Sequence, residues 1–351
     1  MLVSATHSRE LPKASFHNTL KVELDAVDRN TLRAGPRPAG AGLTMAGLRG
    51  KPLIAYLVVC VFWGSTYLAI RVGVGVLPPF LFAGLRFLVG GVLLLGVALA
   101  LGDRLPRRAG DWRTSAIVGR FLLSGGNAFV VWAEQFTASG IASIFVVTVA
   151  LWMAFFDAII PGGSGDLSWR VVAGLLLGFA GTALLVGAPE TAGGTNALIA
   201  TGLLALMAVT WSIAAILSSR TLARSAPIAT VAAGTWVGSL VLAPFAATEI
   251  GLPVRWSTES LLAFGYLVIF GSCVGLVLNL WLYRKLRPTT ASLTQVLIPA
   301  QAILIGTLWL GEPLSWRMFG GAALVVSAVL LNALAGGSPA AVAAETPAAA
   351  G

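Results

Sequence analysis

Apolar residues run along this chain in long unbroken blocks, not at alternating positions. Ten blocks stand out, near 53–71, 80–101, 114–133, 141–160, 170–187, 198–218, 228–248, 261–282, 289–310 and 316–335. Each is close to the roughly 20 residues that a helix rising about 1.5 Å per residue needs to cross a hydrocarbon core of about 30 Å. A membrane barrel would show short alternating segments instead. Only helices and closed barrels satisfy the backbone in lipid, so each block reads as a helix. Short polar connections make neighbours antiparallel. The pattern predicts an all-α polytopic membrane protein with ten transmembrane helices.

The two ends fall outside this pattern. Residues 1–51 are polar and hold both histidines, His7 and His17, with no apolar run of the kind a signal peptide carries. They read as a disordered tail, and Met45 just ahead of Arg49 and Lys51 leaves open whether residues 1–44 are translated. Residues 336–351 are rich in Ala, Pro and Gly and read as a second disordered tail.

Composition narrows the class further. Hydrophobic residues make up 57% and charged residues 11%, whereas soluble domains carry roughly 25% charge. Such a chain cannot wet the surface of a soluble globule. The net charge of +9 would point to nucleic acid in a soluble protein, but its distribution reports topology here. Alternate loops hold Arg104, Arg107, Arg108, Arg113, Arg170, Arg220, Arg224, Arg284, Lys285 and Arg287, against Arg255 and Arg317 in the others. Basic loops stay inside, which predicts a cell (inner) membrane protein with both termini cytoplasmic. Cys60 and Cys273 lie in spans one and eight, and neither a disulfide framework nor a metal site is indicated.

The chain also repeats itself. Leu167-Ser168-Trp169-Arg170 with Gly174 returns as Leu314-Ser315-Trp316-Arg317 with Gly321, Ala142-Ser143 as Ala291-Ser292, and Trp63 as Trp211, at offsets of 147, 149 and 148. The two copies are 52–187 and 198–335, five helices each. Five is odd, so the second copy crosses in the opposite sense, and inverted repeats around a midplane site mark secondary transporters.

The ordered set Phe62-Trp63-Gly64-Ser65-Thr66-Tyr67, Arg86-Phe87, Trp132-Ala133-Glu134-Gln135, Ser139-Gly140-Ile141-Ala142, Gly178-Phe179-Ala180-Gly181, Phe270-Gly271-Ser272, Ala291-Ser292 to Pro299, and Leu310-Gly311-Glu312-Pro313 resembles the EamA-type transporters of the drug/metabolite transporter superfamily, with two EamA domains. The resemblance implies ten helices, two inverted repeats, a central cavity and, mostly, export of small metabolites. One departure stands out. Ala150 occupies the place in span four where the family carries a proline equivalent to Pro299, which leaves Pro299 as the only proline kink of the pair.

Charged residues inside spans are expensive and mark function or pairing. Arg71, Arg86 and Glu134 fall near the outer face, where Glu134 is expected to pair with Arg71 or Arg86 as an interfacial ion pair or gate. The alternative makes Arg86 an anchor for a carboxylate or phosphate. Arg120 and Asp157 fall near the cytoplasmic face and are expected either to pair or to leave Asp157 as a proton-coupling site. Trp63, Tyr67, Arg86, Asn127, Trp152, Trp211, Gln295 and Gln301 are candidates to line a substrate cavity. Gly174, Gly178 and Gly181 present a small face for close helix packing, which leaves a homodimer open.

No paired carboxylates, nucleophile elbow or Walker A loop appears, so an enzyme and a direct ATP drive are not expected. Gly162-Gly163-Ser164-Gly165 lacks the lysine of a phosphate loop. No cofactor is implied. The expected partners are a small-molecule substrate and the lipid bilayer, with no nucleic acid and with proton coupling open. The leading reading is an exporter of a small metabolite, amino acid-like or a drug, by alternating access. Its alternatives are an importer of the same fold and a non-transporting sensor or scaffold.

Overall fold

The computed structural model describes residues 50–103, 105–107, 109–160, 169–185, 194–221, 227–286 and 294–335. Residues 1–49 and 336–351 of the expected tails, Met45, Arg104, Arg108, Arg224, Arg287, the Gly162–Gly165 turn, Leu167-Ser168 and Ala291-Ser292 lie outside those residues, while Lys51, assigned to the first tail, opens a helix instead. Among the described residues the secondary structure is helical, with no strand. In chain order the helices are α1 Lys51–Val74, α2 Pro79–Ala100, α3 Ala109–Ala133, α4 Ser139–Ile159, α5 Trp169–Leu185, α6 Thr195–Thr221, α7 Pro227–Ala247, α8 Thr258–Tyr283, α9 Thr294–Leu310 and α10 Trp316–Ala335.

Seven of these, α1 to α4 and α6 to α8, are long and apolar enough to cross a membrane. The other three carry shorter apolar stretches, Val172–Leu184, Thr294–Leu310 and Trp316–Leu331. The apolar surface also faces outward. Leu240 and Leu308 are 71% and 73% exposed, as suits a protein whose solvent is lipid. The core holds Phe82, Phe87, Phe145, Leu122 and Leu123 together with buried polar residues such as Arg86, Glu134, Asn279 and Gln295.

Helix starts are set by local chemistry. α2 opens on Pro79, where a missing N–H costs nothing. Its next two donors are met from afar: the Phe80 and Leu81 N–H groups donate to the Glu249 carboxylate at 3.0 and 2.8 Å. α4 starts likewise on a distant carboxylate, with the Ser139 N–H and hydroxyl donating to Glu312 at 3.0 and 2.7 Å. Ser257 caps α8 through a reciprocal pair with Ser260.

The packing is symmetric under exchange of the first five helices for the last five. α2 packs on α7 and α5 on α10; α1 meets α8 and α9 as α6 meets α3 and α4. The close approaches rely on glycine: a Cβ at Gly181 would run into the Gly321 carbonyl and Val325 of α10, and one at Gly119 into Gly234 and Val237 of α7. The exchange extends to a local irregularity. Residues Val118–Asn127 of α3 and Leu267–Gly275 of α8 both wind as π-helix, at matching places about 149 residues apart. Wide turns of this kind are rare and collect at functional sites.

Span four corrects one expectation. Ala150 is not proline, yet α4 is interrupted two residues earlier. Its first part ends at Val147 and its second starts at Val149, with Thr148 between them. The Thr148 hydroxyl donates to the Phe145 carbonyl at 2.6 Å, and the Ser212 hydroxyl of α6 reaches the Val149 carbonyl at 2.9 Å. Two hydroxyls thus engage carbonyls on either side of the interruption. Pro299, in contrast, lies inside α9, and Pro244, which the sequence reading passes over, lies inside α7.

Candidate substrate cavity

The two π-helical segments place a cavity between the halves. It is lined from α1 by Trp63 and Tyr67, from α2 by Arg86, from α3 by Asn127, from α6 by Trp211 and from α9 by Gln295. Its apolar wall comes from Ile70, Val130, Val146, Leu276 and Ile298, and Thr66 and Gly271 complete it.

Trp63 and Trp211 meet in this lining. Their rings meet edge to face with centroids 5.4 Å apart and planes at 89°, a favoured geometry for aromatic quadrupoles. Each ring is seated on a glycine of the opposite half. A Cβ at Gly275, the last π residue of α8, would strike the Trp63 indole, and one at Gly126, near the end of the π segment of α3, would strike the Trp211 ring. The Trp63 N–H donates to the Gly271 carbonyl at 3.3 Å, and the Trp211 N–H to the Tyr283 hydroxyl at 3.4 Å.

Polar groups with unspent capacity face the same space. Gln295 is 1% exposed, and neither its amide oxygen nor its amide nitrogen has a hydrogen-bond partner among the described residues. Arg86 is 4% exposed; its Nε donates to the Ser272 hydroxyl at 2.9 Å, a neutral partner that leaves the positive charge uncompensated. Asn127 donates to the Leu122 carbonyl at 3.4 Å.

The lining obeys the exchange as well. Trp63 corresponds to Trp211, Asn127 to Leu276 and Val146 to Gln295, and all six line the cavity. Each of the last two pairs has one polar and one apolar member.

Two of the eight residues expected at the cavity stand elsewhere. Trp152 lines a separate cleft with Leu151, Gly178 and Phe179, its ring 5.5 Å from that of Phe179. Gln301 lies against α1, where a Cβ on Gly64 would overlap it.

The expected ion pairs are not formed. Arg71 donates from Nη1 to the main-chain carbonyl of Glu134, not to its carboxylate. Glu134 follows the last turn of α3, whose carbonyls have no partner within the helix, and that orphan acceptor captures the guanidinium. Arg86 is held by Ser272 instead. Arg120 is exposed, with its guanidinium 5.9 Å from the ring of its neighbour Phe121, while Asp157 is half-buried on α4. An outward-turned Arg120 keeps its charge where water or headgroups reach it and avoids the cost of burial.

Sequence reasoning missed Ser272, which holds Arg86, and the acceptor Gly271. Both belong to the Phe270-Gly271-Ser272 run, whose small residues are the only sign of a close approach. It also missed Glu249 and Glu312 as helix caps.

Among the described residues, no group of three His, Cys, Asp or Glu side chains is arranged to hold a metal ion.

Comparison with known proteins gives a consistent picture. The model of the EamA-like transporter family matches residues 50–187 and again 198–334. The inner membrane transporter YedA of Escherichia coli (strain K12) is 34% identical over 288 residues, covering 80% of this chain and 90% of that protein. A probable terminal-alkyne amino-acid exporter of Streptantibioticus cattleyicolor is 27% identical, covering 80% of this chain and 93% of its own length. A solved crystal structure shares the fold at a TM-score of 0.58 and 24% identity, over 85% of this chain and 100% of that one.

Proposed function

Because the chain belongs to the EamA-like transporter family, we propose that it exports a small metabolite across the cell membrane by alternating access, through ten crossings arranged as two inverted five-helix repeats. It is a membrane transporter and not an enzyme. The observation that carries the finer reading is the placing of the cavity. Three pairs of its lining residues, Trp63 and Trp211, Asn127 and Leu276, and Val146 and Gln295, exchange under the repeat, which supports a cavity on the axis that relates the halves. If the halves swap conformations, the cavity opens to one face and then to the other while its lining stays the same.

The lining also supports a substrate class. Two indoles and an aliphatic wall favour a compact apolar or aromatic body. The Arg86 guanidinium, with only a neutral hydroxyl beside it, favours a carboxylate or another anion. Gln295 supplies a donor and an acceptor for a second polar group. An amino acid-like molecule meets all of these terms, and the name of the Streptantibioticus relative is compatible with it.

The test compares the extracellular metabolites of cells overproducing the intact protein with those of cells producing equal amounts of Trp63→Ala, Arg86→Ala protein. A compound that accumulates outside only with the intact protein identifies the cargo. Loss from the medium with the intact protein would replace export by import, and no difference in any metabolite would overturn transport itself.

A further inference from the structure

Glu134 is the one buried carboxylate in this bundle whose two oxygens both lack a partner in the protein, among the described residues. Its residue is 0% exposed. It directly follows α3, about one turn beyond the lining residue Val130. The groups that act on it come from three sides. From α1, Tyr67 of the cavity lining lies close enough to feel its charge, and Arg71 contributes a positive charge. From the connection between α9 and α10, Glu312 contributes a negative one. From α4, the Ser139 hydroxyl is already committed to Glu312. Arg71, the natural counter-ion, spends an Nη1 donor on the Glu134 main-chain carbonyl.

We propose that Glu134 is a proton-carrying site, which holds a proton in this closed arrangement and exchanges it as the cavity alternates, so that one proton enters for each substrate exported. The inference rests on the transport reading above.

Three observations carry it. A carboxylate removed from water with neither oxygen hydrogen-bonded is far more costly as an ion than as a neutral acid. Arg71 is one side-chain movement away from stabilising the ion, because its guanidinium already rests on the same residue's carbonyl. Tyr67 lines the cavity and lies close enough to Glu134 to feel its charge, so a change at the carboxyl is felt at the substrate site. In the closed arrangement the O–H bond is intact and Arg71 holds the carbonyl. When water enters, that O–H bond breaks, the proton passes to water, the electron pair stays on the carboxylate and Arg71 shifts onto it. On the outer side the site reloads from external water after substrate has left. On the inner side it unloads into cavity water past Tyr67. Asp157, the carboxylate that span position alone favours for this role, is half-buried and lines neither the cavity nor the cleft beside Trp152.

The test uses the full chain in lipid bilayers and has two readouts. The first is a pH-difference infrared spectrum, in which the probe is the proton alone. A protonated carboxylic-acid carbonyl band that disappears as pH is raised is expected in the intact protein and in Asp157→Asn, and is absent in Glu134→Gln. Glu134→Asp, which keeps the acid, retains a shifted band and guards against loss of the signal through misfolding. The second is export of the cargo against an imposed pH gradient. A one-proton exchange sustains about tenfold more accumulation per pH unit at equilibrium, and Glu134→Gln is expected to flatten that dependence to none. Glu134→Gln export that keeps the pH dependence of the intact protein overturns the coupling while transport stands. A Glu134 band with no cargo exported under any gradient overturns the transport reading and retains the proton site. No titrating band in the intact protein overturns the site itself.

Discussion

Trp63 and Trp211, 148 positions apart in the chain, meet ring edge to ring face across the centre of the bundle at 5.4 Å. Each is held there by the absence of a side chain in the other half, at Gly275 and Gly126. The seat of each indole is therefore a backbone surface exposed by a wide π-helical turn. Four elements from both repeats converge on one contact, so a change at any of them is felt at the other three.

The glycine seats can be filled. Gly275→Ala and Gly126→Ala each place a methyl into an indole, and overpacking of this kind costs about 1–3 kcal/mol. Both are expected to lower the thermal midpoint of the purified protein and to abolish export. Gly202→Ala and Gly265→Ala meet nothing within 4 Å and serve as controls. They are expected to hold or raise the midpoint, since alanine is the better helix former by about 1 kcal/mol. Equal behaviour of the two pairs would remove the seats from the argument.

Arg86 separates charge from geometry. Arg86→Lys keeps a cation but loses the Nε contact to Ser272 and the forked donors. Hydrogen bonds to charged groups are worth about 1.5–3 kcal/mol, so Arg86→Gln is expected to weaken binding of an anionic cargo about tenfold to hundredfold. Arg86→Lys should fall between that and the intact protein, and Ser272→Ala should cost less than either. Radiolabelled uptake into inside-out vesicles measures all three. A neutral cargo whose binding ignores Arg86→Gln would refute the anchor.

Glu249 and Glu312 cap helices that lie far from them in sequence, α2 and α4. Loss of a cap costs about 0.5–2 kcal/mol. Glu249→Ala is expected to lower the unfolding midpoint, while Glu249→Gln, which keeps an acceptor oxygen, loses only the charge–dipole share of about 0.3–1 kcal/mol. Glu312→Gln and Ser139→Ala share one contact, so their combined effect should be less than additive. Additive effects on the midpoint would show that Ser139 and Glu312 stabilise the protein independently.

Much of this was legible in the sequence because lipid leaves few choices. Unbroken apolar blocks announce helices, and the recurrence of Trp63 as Trp211 announces the axis. The helix that carries a residue was legible too, but the way it faces was not: Trp152 and Gln301 share α4 and α9 with Val146 and Gln295 yet meet other neighbours. The π-helical segments carry no sequence signal beyond scattered glycines. The Arg71 contact escapes an argument from side-chain charge, because its acceptor is the orphan main-chain carbonyl at the end of α3. The interruption at Thr148 is hidden for a different reason: no proline marks it.

That last point leads to a prediction opposite to the one the sequence alone encourages. With α4 taken as continuous, Ala150→Pro would introduce a missing kink and change how the halves gate. The structure instead places Ala150 in the first turn of a helix that restarts at Val149, after the interruption at Thr148. Proline is tolerated in the first turn of a helix. Ala150→Pro is therefore expected to fold, to keep its thermal midpoint and to export at the rate of the intact protein. Ala154→Pro, one turn further into the same helix, loses a ladder hydrogen bond and clashes with the preceding turn, at a cost of about 3 kcal/mol or more. Thr148→Val removes the inserted hydroxyl while keeping the shape of the side chain. It tests whether the break itself matters: export should fall although the midpoint holds or rises, because a continuous α4 is more regular but has lost its hinge. Export unchanged in Thr148→Val would make the interruption an incidental feature of packing against Ser212.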